Sequence, residues 1–378
     1  MKRLHFLGLI CVCLGIAAVM LFRANTHAIA ATPSSCGSWN VVASPNNGNS
    51  SLSGIATIAA NDIWAVGSSQ PDNKIYSKTL IEHWDGTSWS IVPSPNVPSV
   101  NNYLSGVSAA SATNIWAVGD SRYGALFEHW DGTAWSIVPG PNSPLSRNSV
   151  LTGVAAVSAT DIWAVGYAYP GAFTQTVTEH WNGTKWSVVP NQVSSQANYL
   201  SGVTAVSTNN VWAVGQDAFD EKTLIEHWDG TAWKVVHSPN PAYYSFLYGV
   251  TAISATSIWA VGSSNTTTLI EHWDGTKWSV VPSAPANGAT LQAIGVVSAT
   301  DIWAVGNTYS NGVTSILTEH WDGTTWSVVT SPDPGDHGNN FNAVASIPGS
   351  NYVWAVGQAR SVTTNDQFLS NTLTAYYC

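Results

Sequence analysis

Short segments in which apolar and polar residues alternate run along most of the chain, and turns rich in Gly, Asp, Asn and Ser separate them. One stretch holds four such segments, at residues 104–111, 114–119, 126–130 and 135–138. β-Branched and aromatic residues dominate each segment, as they do in half-buried strands. The pattern predicts four β-strands, which we name A, B, C and D in chain order.

This four-strand unit is repeated. The strand B sequence Ile-Trp-Ala-Val-Gly occurs in seven copies, with Ile or Val first and with spacings of 44 to 52 residues between the tryptophans. Those tryptophans are Trp64, Trp116, Trp163, Trp212, Trp259, Trp303 and Trp354. A second sequence, Glu-His-Trp-Asp-Gly-Thr, has six copies, with Asn182 as the only change at the Asp position. Such a period is typical of propellers and too long for leucine-rich or ankyrin repeats. We therefore predict an all-β, seven-bladed β-propeller with four antiparallel strands per blade.

The two ends of the repeated region complement each other. Residues 39–42 match strand D, and residues 373–378 match strand C and then stop. The last blade is thus predicted to combine both termini, in one propeller domain spanning residues 31–378. The same alignment places Cys378 at the Asp of the C–D turn and Cys36 at its Gly. Because both are the only cysteines outside the first 30 residues, we predict a disulfide that joins the ends.

The first 30 residues follow the pattern of an export signal. Positive charge at residues 1–3 precedes an apolar run at 6–22, and Ala28-Ile29-Ala30 offers small residues for cleavage. We predict a cleaved signal peptide and a secreted or cell-surface protein. An uncleaved anchor is the alternative, since the run is only slightly shorter than a membrane-spanning helix.

Composition narrows the classes of partner. Only 9% of residues are charged, the net charge is -10, and the basic residues are scattered. No basic stripe is present to neutralise phosphates or anionic lipids, so neither nucleic acid nor a membrane surface is expected as a partner. All 20 tryptophans fall on repeat positions, which indicates an architectural role. A monomer is expected.

The residue types in each strand indicate how far from the propeller axis that strand lies. Strand A carries small residues such as Ser105, Gly106 and Ala109, which suit the innermost strand, where blades converge. Strands C and D carry tryptophans, which suit the wider outer gaps. Asp-Gly between C and D predicts a two-residue type I′ hairpin turn.

The unit resembles a kelch repeat, in which an aromatic strand B ends in Gly, an aromatic-Asp turn follows, and Trp opens strand D. The matching residues here are 115–119, Trp130-Asp131-Gly132 and Trp135, and the resemblance covers essentially the whole chain after the signal. One Gly replaces the kelch Gly-Gly pair, and the C–D turn is shorter. The copper site of galactose oxidase, a propeller of similar architecture, has no counterpart, because no core Cys is available for its Tyr–Cys cross-link. No cofactor is predicted.

Variation among the repeats points to one face of the disc. The A–B and C–D turns barely vary, whereas the B–C and D–A connections differ in length and sequence, and alternating strand direction places the two sets on opposite faces. Varied loops on a repeated scaffold indicate a recognition face. Its candidate ligand-binding residues are Tyr76, Tyr103, Arg122, Tyr123, Arg147, Tyr167, Tyr169, Tyr199, Phe219, Tyr243, Tyr244, Tyr309 and Arg360. Aromatic rings among short amides and hydroxyls favour a carbohydrate or protein ligand.

The repeated histidines do not predict a metal site. Ligands of one zinc ion lie within about 4 Å of each other, whereas packed sheets lie about 10 Å apart. Equivalent histidines on different blades therefore cannot share an ion, and we predict structural hydrogen bonds between blades instead.

Two other functions remain open at this point. The only arginines after the signal are Arg122, Arg147 and Arg360, all in variable-face loops, and carboxylates cluster in the B–C loops at Asp120, Asp217, Asp220 and Glu221. This keeps a glycosidase or lyase acting on an extracellular polysaccharide as an alternative. A purely structural or adhesive protein is the third possibility.

Overall fold

The computed structural model describes residues 37–72, 74–192, 197–284, 287–362 and 368–378. The predicted signal peptide and Cys36 lie outside these residues. Within them the structure consists of strands and a single 3-10 turn, Ser146–Asn148, and contains no helix of the length and apolarity needed to span a bilayer. The strands are β1 Trp39–Val42, β2 Asn49–Ala59, β3 Asp62–Gln70, β4 Lys78–Trp84, β5 Trp89–Ile91, β6 Asn102–Ser111, β7 Asn114–Ser121, β8 Gly124–Trp130, β9 Trp135–Ile137, β10 Ser149–Ser158, β11 Asp161–Ala168, β12 Gln175–Trp181, β13 Trp186–Val188, β14 Asn198–Ser207, β15 Asn210–Asp217, β16 Lys222–Trp228, β17 Trp233–Val235, β18 Ser245–Ser254, β19 Ser257–Ser264, β20 Thr267–Trp273, β21 Trp278–Val280, β22 Ala289–Ser298, β23 Asp301–Ser310, β24 Val313–Trp321, β25 Trp326–Val328, β26 Asn339–Ser346, β27 Val353–Val362 and β28 Phe368–Tyr377.

These strands form seven four-stranded antiparallel sheets, which are the blades of a β-propeller. Blades 1 to 6 each use four consecutive strands, from β2–β5 to β22–β25, and blade 7 has the order β1-β28-β27-β26. The predicted fold class is confirmed. The predicted strand bounds agree with β6 to β9 within two residues at each end.

Blade 7 is closed by the two ends of the chain. Strand β1 pairs with β28 so that Trp39 lies opposite Tyr377 and Val42 opposite Thr374. Beyond the strands, the Gly37 amide donates a hydrogen bond of 2.7 Å to the Cys378 carbonyl oxygen. The disulfide predicted between Cys36 and Cys378 stays a prediction, because Cys36 is not among the described residues.

The innermost strands pack backbone against backbone around the axis. A Cβ atom placed on Gly54 of blade 1 would lie 3.1 Å from the Cα of Gly106 in blade 2, and one on Gly106 would lie 3.3 Å from the Cα of Gly153 in blade 3. Blades 6 and 7 carry Ala293 and Ala343 at this register position. The small residues of strand A are therefore required by the convergence of the blades.

The glycine that ends each strand B sequence has a different cause. A β-bulge interrupts strand A between Leu104 and Gly106, which brings the strand A backbone close to Gly119. A Cβ on Gly119 would lie 2.0 Å from the Tyr103 carbonyl oxygen, a distance that no side chain can adopt. The same bulge and the same contact recur in all seven blades.

Tryptophans fill the outer gaps between blades. Trp64 of blade 1 lies 4.9 Å from Trp130 and 5.6 Å from Trp135 of blade 2, measured between ring centroids. Equivalent contacts occur at each interface, and the ring closes where Trp354 of blade 7 meets Trp84 of blade 1 at 5.0 Å. Edge-to-face and tilted pairs of this kind add to the stabilisation from burial.

The C–D turns differ from the predicted two-residue hairpin. Strand β4 ends at Trp84 and β5 begins at Trp89, which face each other across a four-residue loop. The Asp85 carboxylate accepts hydrogen bonds from the amides of Thr87 and Ser88 and from the Thr87 hydroxyl, at 2.7 to 2.8 Å. Gly86 is the only residue of the loop with positive φ. The prediction of a type I′ turn was wrong because the side chain, rather than the backbone, satisfies the donors of this loop.

Candidate functional site

The repeated histidines on the face of the A–B and C–D turns are bonded within their own blades. His83 Nε2 lies 2.9 Å from Asp62 Oδ1, and Trp64 Nε1 donates to the same oxygen. His180 and His320 pair likewise with an Asp, His129 and His227 with an Asn, and His272 with a Ser. A structural role for these histidines agrees with the geometry, but the predicted partners on neighbouring blades were wrong. Strand C runs beside strand B of its own blade, which brings the ring to the start of that strand.

The repeated glutamates are buried between the blades. Neither carboxyl oxygen of Glu82, or of its equivalents Glu128, Glu179, Glu226, Glu271 and Glu319, has a hydrogen-bond partner within ordinary distance among the described residues. Burial raises the pKa of Glu128 to about 8, and the Thr79 hydroxyl of the preceding blade partly opposes this rise. Burial raises the pKa of all six carboxyls to about 7 or 8, so about half or more of each is protonated at neutral pH, and they form part of the scaffold.

The residues at the Glu82 position and at the facing Thr79 position of the neighbouring blade differ together among the blades. At the interface between blades 6 and 7, Ala375 takes the Glu position and Ile316 takes the position of Thr79. In blade 2 the Thr position is Ala125, and the hydroxyl that faces Glu179 comes instead from Ser146. The presence of each Glu therefore follows the residue that faces it from the neighbouring blade. This indicates a structural role in the blade interface rather than a binding or catalytic site.

The opposite face carries the variable connections, as predicted, and hydrogen bonds tie them into a continuous platform. The Asn102 amide donates to the Ser77 carbonyl oxygen, and the Ser245 amide donates to that of Glu221, both at 3.1 Å. In each case the B–C connection of one blade binds the start of strand A in the next. B–C connections range from two residues in blade 2 to seven in blade 1. One variable connection lies on the other face, since blade 7 has a six-residue A–B turn.

Part of the variable face is nevertheless repeated, which was not predicted. Three D–A connections contain Ser-Pro-Asn near their start. In blade 1, Asn96 Oδ1 accepts a 2.9 Å hydrogen bond from the Thr79 amide, and the Ser94 hydroxyl lies 2.7 Å from that of Thr79. The same contacts recur in blades 4 and 7. The signal was present in the repeated Ser-Pro-Asn itself. Only the remainder of each connection is free to differ.

Four of the predicted aromatic residues converge at the variable-face end of the inner strands. We call this group, together with Asp120, the channel-mouth cluster: Tyr103, Asp120, Tyr167, Tyr169 and Tyr199. Tyr103 and Asp120 are cross-strand partners in blade 2. Tyr167 of blade 3 lies 4.8 Å from Tyr199 of blade 4 and 5.6 Å from Tyr169, with interplanar angles of 68° and 84°.

The electrostatics of the cluster connect three blades. Burial raises the pKa of Tyr167 to about 12, and Tyr169, the Asp120 carboxylate and Tyr199 add to this effect. Burial also raises the pKa of Asp120. The Asp120 carboxylate has no hydrogen-bond or ion-pair partner among the residues that the structure describes. The cluster is thus a set of half-buried rings and hydroxyls around one unpaired carboxylate.

A second group lies on the same face at blades 4 and 5. Tyr243 and Tyr244 are in edge-to-face contact at 4.9 Å, and Tyr244 lies 6.4 Å from Phe246. The Glu221 carboxylate raises the pKa of Tyr243 by its charge and by a hydrogen bond. Phe219, on the same loop as Glu221, is 69% exposed. Phe246 was not predicted, although the repeat register places it at the position of Tyr103 and Tyr199.

The other predicted residues around blades 1 to 3 are separate from both groups. Tyr76 lines a shallow groove in blade 1. Tyr123 is exposed in the two-residue B–C turn of blade 2, beside Arg122. The Arg147 guanidinium donates to Asn142 Oδ1 within its own D–A connection.

Tyr309 and Arg360 lie in blades 6 and 7. Tyr309 is exposed near the end of β23. The Arg360 backbone pairs with the D–A connection that leads from blade 6 into blade 7, through Gly338 and His337. Blade 1 separates Arg360 from blade 2, which carries Arg122, so no contact in the described structure joins the three arginines. The carboxylates proposed with them are likewise divided between blade 2, with Asp120, and blade 4.

Comparisons with known proteins support the fold. No protein-family model and no curated protein matches the sequence. Among solved structures, the chain is similar to YCF48 bound to D1 peptide, with 15% identity, a TM-score of 0.60 and coverage of 92% of this chain and 99% of that one. It is similar to YCF48 from Cyanidioschyzon merolae, with 15% identity, a TM-score of 0.59 and coverage of 90% and 98%, and to the WD40 repeats of RRP9, with 10% identity, a TM-score of 0.59 and coverage of 90% and 97%.

At these identities the similarity establishes architecture alone. The kelch resemblance stays a resemblance, since the three structures above share the propeller and not a kelch assignment. This chain is a seven-bladed β-propeller whose fold is similar to that of YCF48 and to that of the RRP9 WD40 repeats.

Proposed function

We propose that this chain is a binding protein that holds a protein ligand on its variable face, centred on the channel-mouth cluster. The main support is that sequence and length variation among the repeats lies largely on one face of the propeller. Seven interfaces and six C–D turns repeat almost unchanged, whereas nearly all variable connections and all the clustered non-repeat aromatics lie at one face. A scaffold that keeps everything else constant and varies one face supports recognition there.

The geometry of the rings favours a protein ligand over a flat sugar ring. Tyr167 meets Tyr199 and Tyr169 at steep angles, so the rings form corners that can surround a side chain. Tyrosine is also enriched at protein-binding surfaces, because it contributes a large rigid contact at low entropic cost. YCF48, which has the same fold, has been solved with a bound D1 peptide, so the architecture is compatible with a peptide ligand.

The test exposes the purified protein to a peptide display library and, in parallel, to a glycan array. We expect peptides to be selected, and their binding to be lost in Tyr199→Ala. The matched control is Tyr352→Ala, which removes an exposed tyrosine of the blade 7 A–B turn on the opposite face, and it should bind as the wild type does. Binding of glycans alone would replace the proposal by its carbohydrate alternative, and equal loss in both variants would contradict it. Heat unfolding of each variant confirms that the fold is intact.

Export is part of the proposal, because the ligand would then be extracellular. Mass spectrometry of the mature protein should find an N-terminus near residue 31. A chain that retains residues 1–30 in a membrane fraction would instead support the anchor.

A further inference from the structure

Asp120 is the one ionisable carboxylate at its position in the repeat. The equivalent residues in the other blades, which also follow the strand B glycine, are Ser68, Tyr167, Gln216, Ser263, Asn307 and Gln358. The blade is built equally well with an uncharged side chain there. The carboxylate is therefore not needed by the fold, in contrast to the glutamates between blades.

Within the described part of the chain, no residue supplies a counter-ion for Asp120. Arg122 follows two residues later but forms no ion pair with it in the described structure, and the Arg147 guanidinium is bonded to Asn142. A half-buried carboxylate without a cation costs free energy, because it loses hydration without gaining a partner. A ligand cation would remove that cost.

The surrounding rings suit the same kind of ligand. The faces of aromatic rings carry partial negative charge, and cations are attracted to them within about 6 Å of the ring centroid. Tyr167 and Tyr199 lie at a steep angle to each other, so two ring surfaces can approach one bound group. Tyr103 is the cross-strand partner of Asp120 and provides a third ring near the carboxylate.

We propose that the channel-mouth cluster binds a cationic group, the ammonium or guanidinium of a lysine or arginine side chain, with Asp120 as the counter-ion and the tyrosine rings as the walls. This inference rests on the proposed function, because it names the part of the protein ligand that the cluster recognises. The second aromatic group supports it independently, since Glu221 stands beside Tyr243 and Tyr244 in the same combination of acid and rings. The net charge of -10 also favours a basic partner.

The test uses short capped peptides that differ at one central residue. Lysine is compared with norleucine, which keeps the four-carbon chain and lacks the ammonium, and arginine with citrulline, which keeps the length of the side chain and lacks the charge. Isothermal titration calorimetry with the full mature protein should give Kd values at least about tenfold lower for the charged member of each pair, the size expected for one charge-assisted contact with rings. Spermidine serves as the free-cation arm, and preference for it over every peptide would assign the site to a small amine and overturn the peptide assignment.

Asp120→Asn and Asp120→Ser should each remove most of the charge preference. Both are expected to fold, because Asn and Ser occupy this position in blades 6, 1 and 5. Asp131→Asn, which removes a carboxylate of the same blade on the opposite face, is the matched control and should keep the preference. Equal binding of lysine and norleucine peptides, absence of binding by the basic peptides, or an unchanged preference in both Asp120 variants would overturn the inference.

Failure of this inference and failure of the proposed function give different results. If peptides from the display library lose binding in Tyr199→Ala but are indifferent to Asp120→Asn, the recognition face stands and the cation site does not. If they are indifferent to both variants, the proposed function itself is wrong.

Discussion

The two faces of this propeller show what a repeated scaffold must conserve and what it can change. On one face, six C–D turns use the same carboxylate or amide to accept the same three hydrogen bonds, in Asp85 as in Asn182. On the other, B–C connections vary from two to seven residues. The first face closes short hairpins between strands that the tryptophan packing holds in place, so its geometry is the same in blades 1 to 6. The second joins strands and blades over longer paths, which tolerate many lengths.

The variable face itself contains both repeated and variable parts. Where a D–A connection touches strand C, as Ser94 and Asn96 do, it repeats between blades. Beyond those contacts it differs. A connecting residue is thus repeated among the blades when it contacts the strands, whichever face of the propeller it lies on.

The largest expected effect concerns the one C–D turn that the chain interrupts. If a disulfide between Cys36 and Cys378 takes the place of the seventh turn, Cys378→Ser should lower the free energy of unfolding by on the order of 4 to 5 kcal/mol through the loss of ring closure. Denaturant unfolding with and without reductant measures this. Two free thiols in a labelling assay of the exported protein would contradict the prediction.

A methyl group added to the scaffold should cost much more than one added to a variable loop. Gly119→Ala drives a Cβ to 2.0 Å from a backbone carbonyl oxygen, and we expect a loss of about 3 kcal/mol or more. The control is Gly171→Ala in the B–C connection of blade 3, where nothing lies within 4 Å of the added atom. Denaturant unfolding of both variants provides the comparison, and similar losses would show that the two regions are equally constrained.

The buried glutamates should make the scaffold more stable in mild acid. The folded pKa of Glu128 is about 8 against an ordinary 4.5, so its contribution is fully present below about pH 4.5 and is lost as pH rises toward 8. The Tm should therefore fall from pH 5 to pH 8.

Glu128→Gln isolates one of these carboxyls, since it keeps the shape and cannot ionise. Its Tm should depend less steeply on pH than that of the wild type across the same range. The control is Asp85→Asn in a C–D turn, because hydrogen bonds lower the pKa of that carboxyl to about 2 and it therefore does not titrate between pH 5 and pH 8. An identical pH profile for Glu128→Gln and the wild type would mean that the carboxyl is not protonated in the folded state.

The smallest effect is expected in a C–D turn. Asp131→Asn copies the arrangement that Asn182 already shows, in which the amide oxygen accepts the same three hydrogen bonds. The Tm at neutral pH should change by no more than about 1 °C. A large loss would show that the charge of these turns, and not only their hydrogen-bonding pattern, holds the repeat face together.

Most of the fold was predictable because its rules act within one repeat and recur seven times. The strand B tryptophans, the small residues of strand A and the split of blade 7 all follow from positions that can be aligned by eye. The turn around Asp85 was not predicted correctly, because a side chain that accepts several donors leaves the same Asp-Gly signature as a type I′ turn. The partners of the histidines were missed because the repeat alone does not give the register between strands B and C. That register places His83 opposite Trp64, and its ring then reaches Asp62 at the start of strand B.

The candidate site was predictable as a set of residues but not as groups. Tyr103, Tyr167 and Tyr199 were expected on one face, yet they come from three blades and their separation in sequence exceeds thirty residues. Phe246 and the importance of Asp120 emerge only from register, because both occupy ordinary strand positions.

The sequence by itself determined the number of blades, the order of the strands and the face that varies, since a periodic pattern can form a closed ring only by packing each unit against its neighbour. Only the tertiary structure decided which side chains meet. Blade-to-blade packing places distant residues next to each other. It leaves Asp120 beside Tyr167, and no cation among the described residues pairs with that carboxylate.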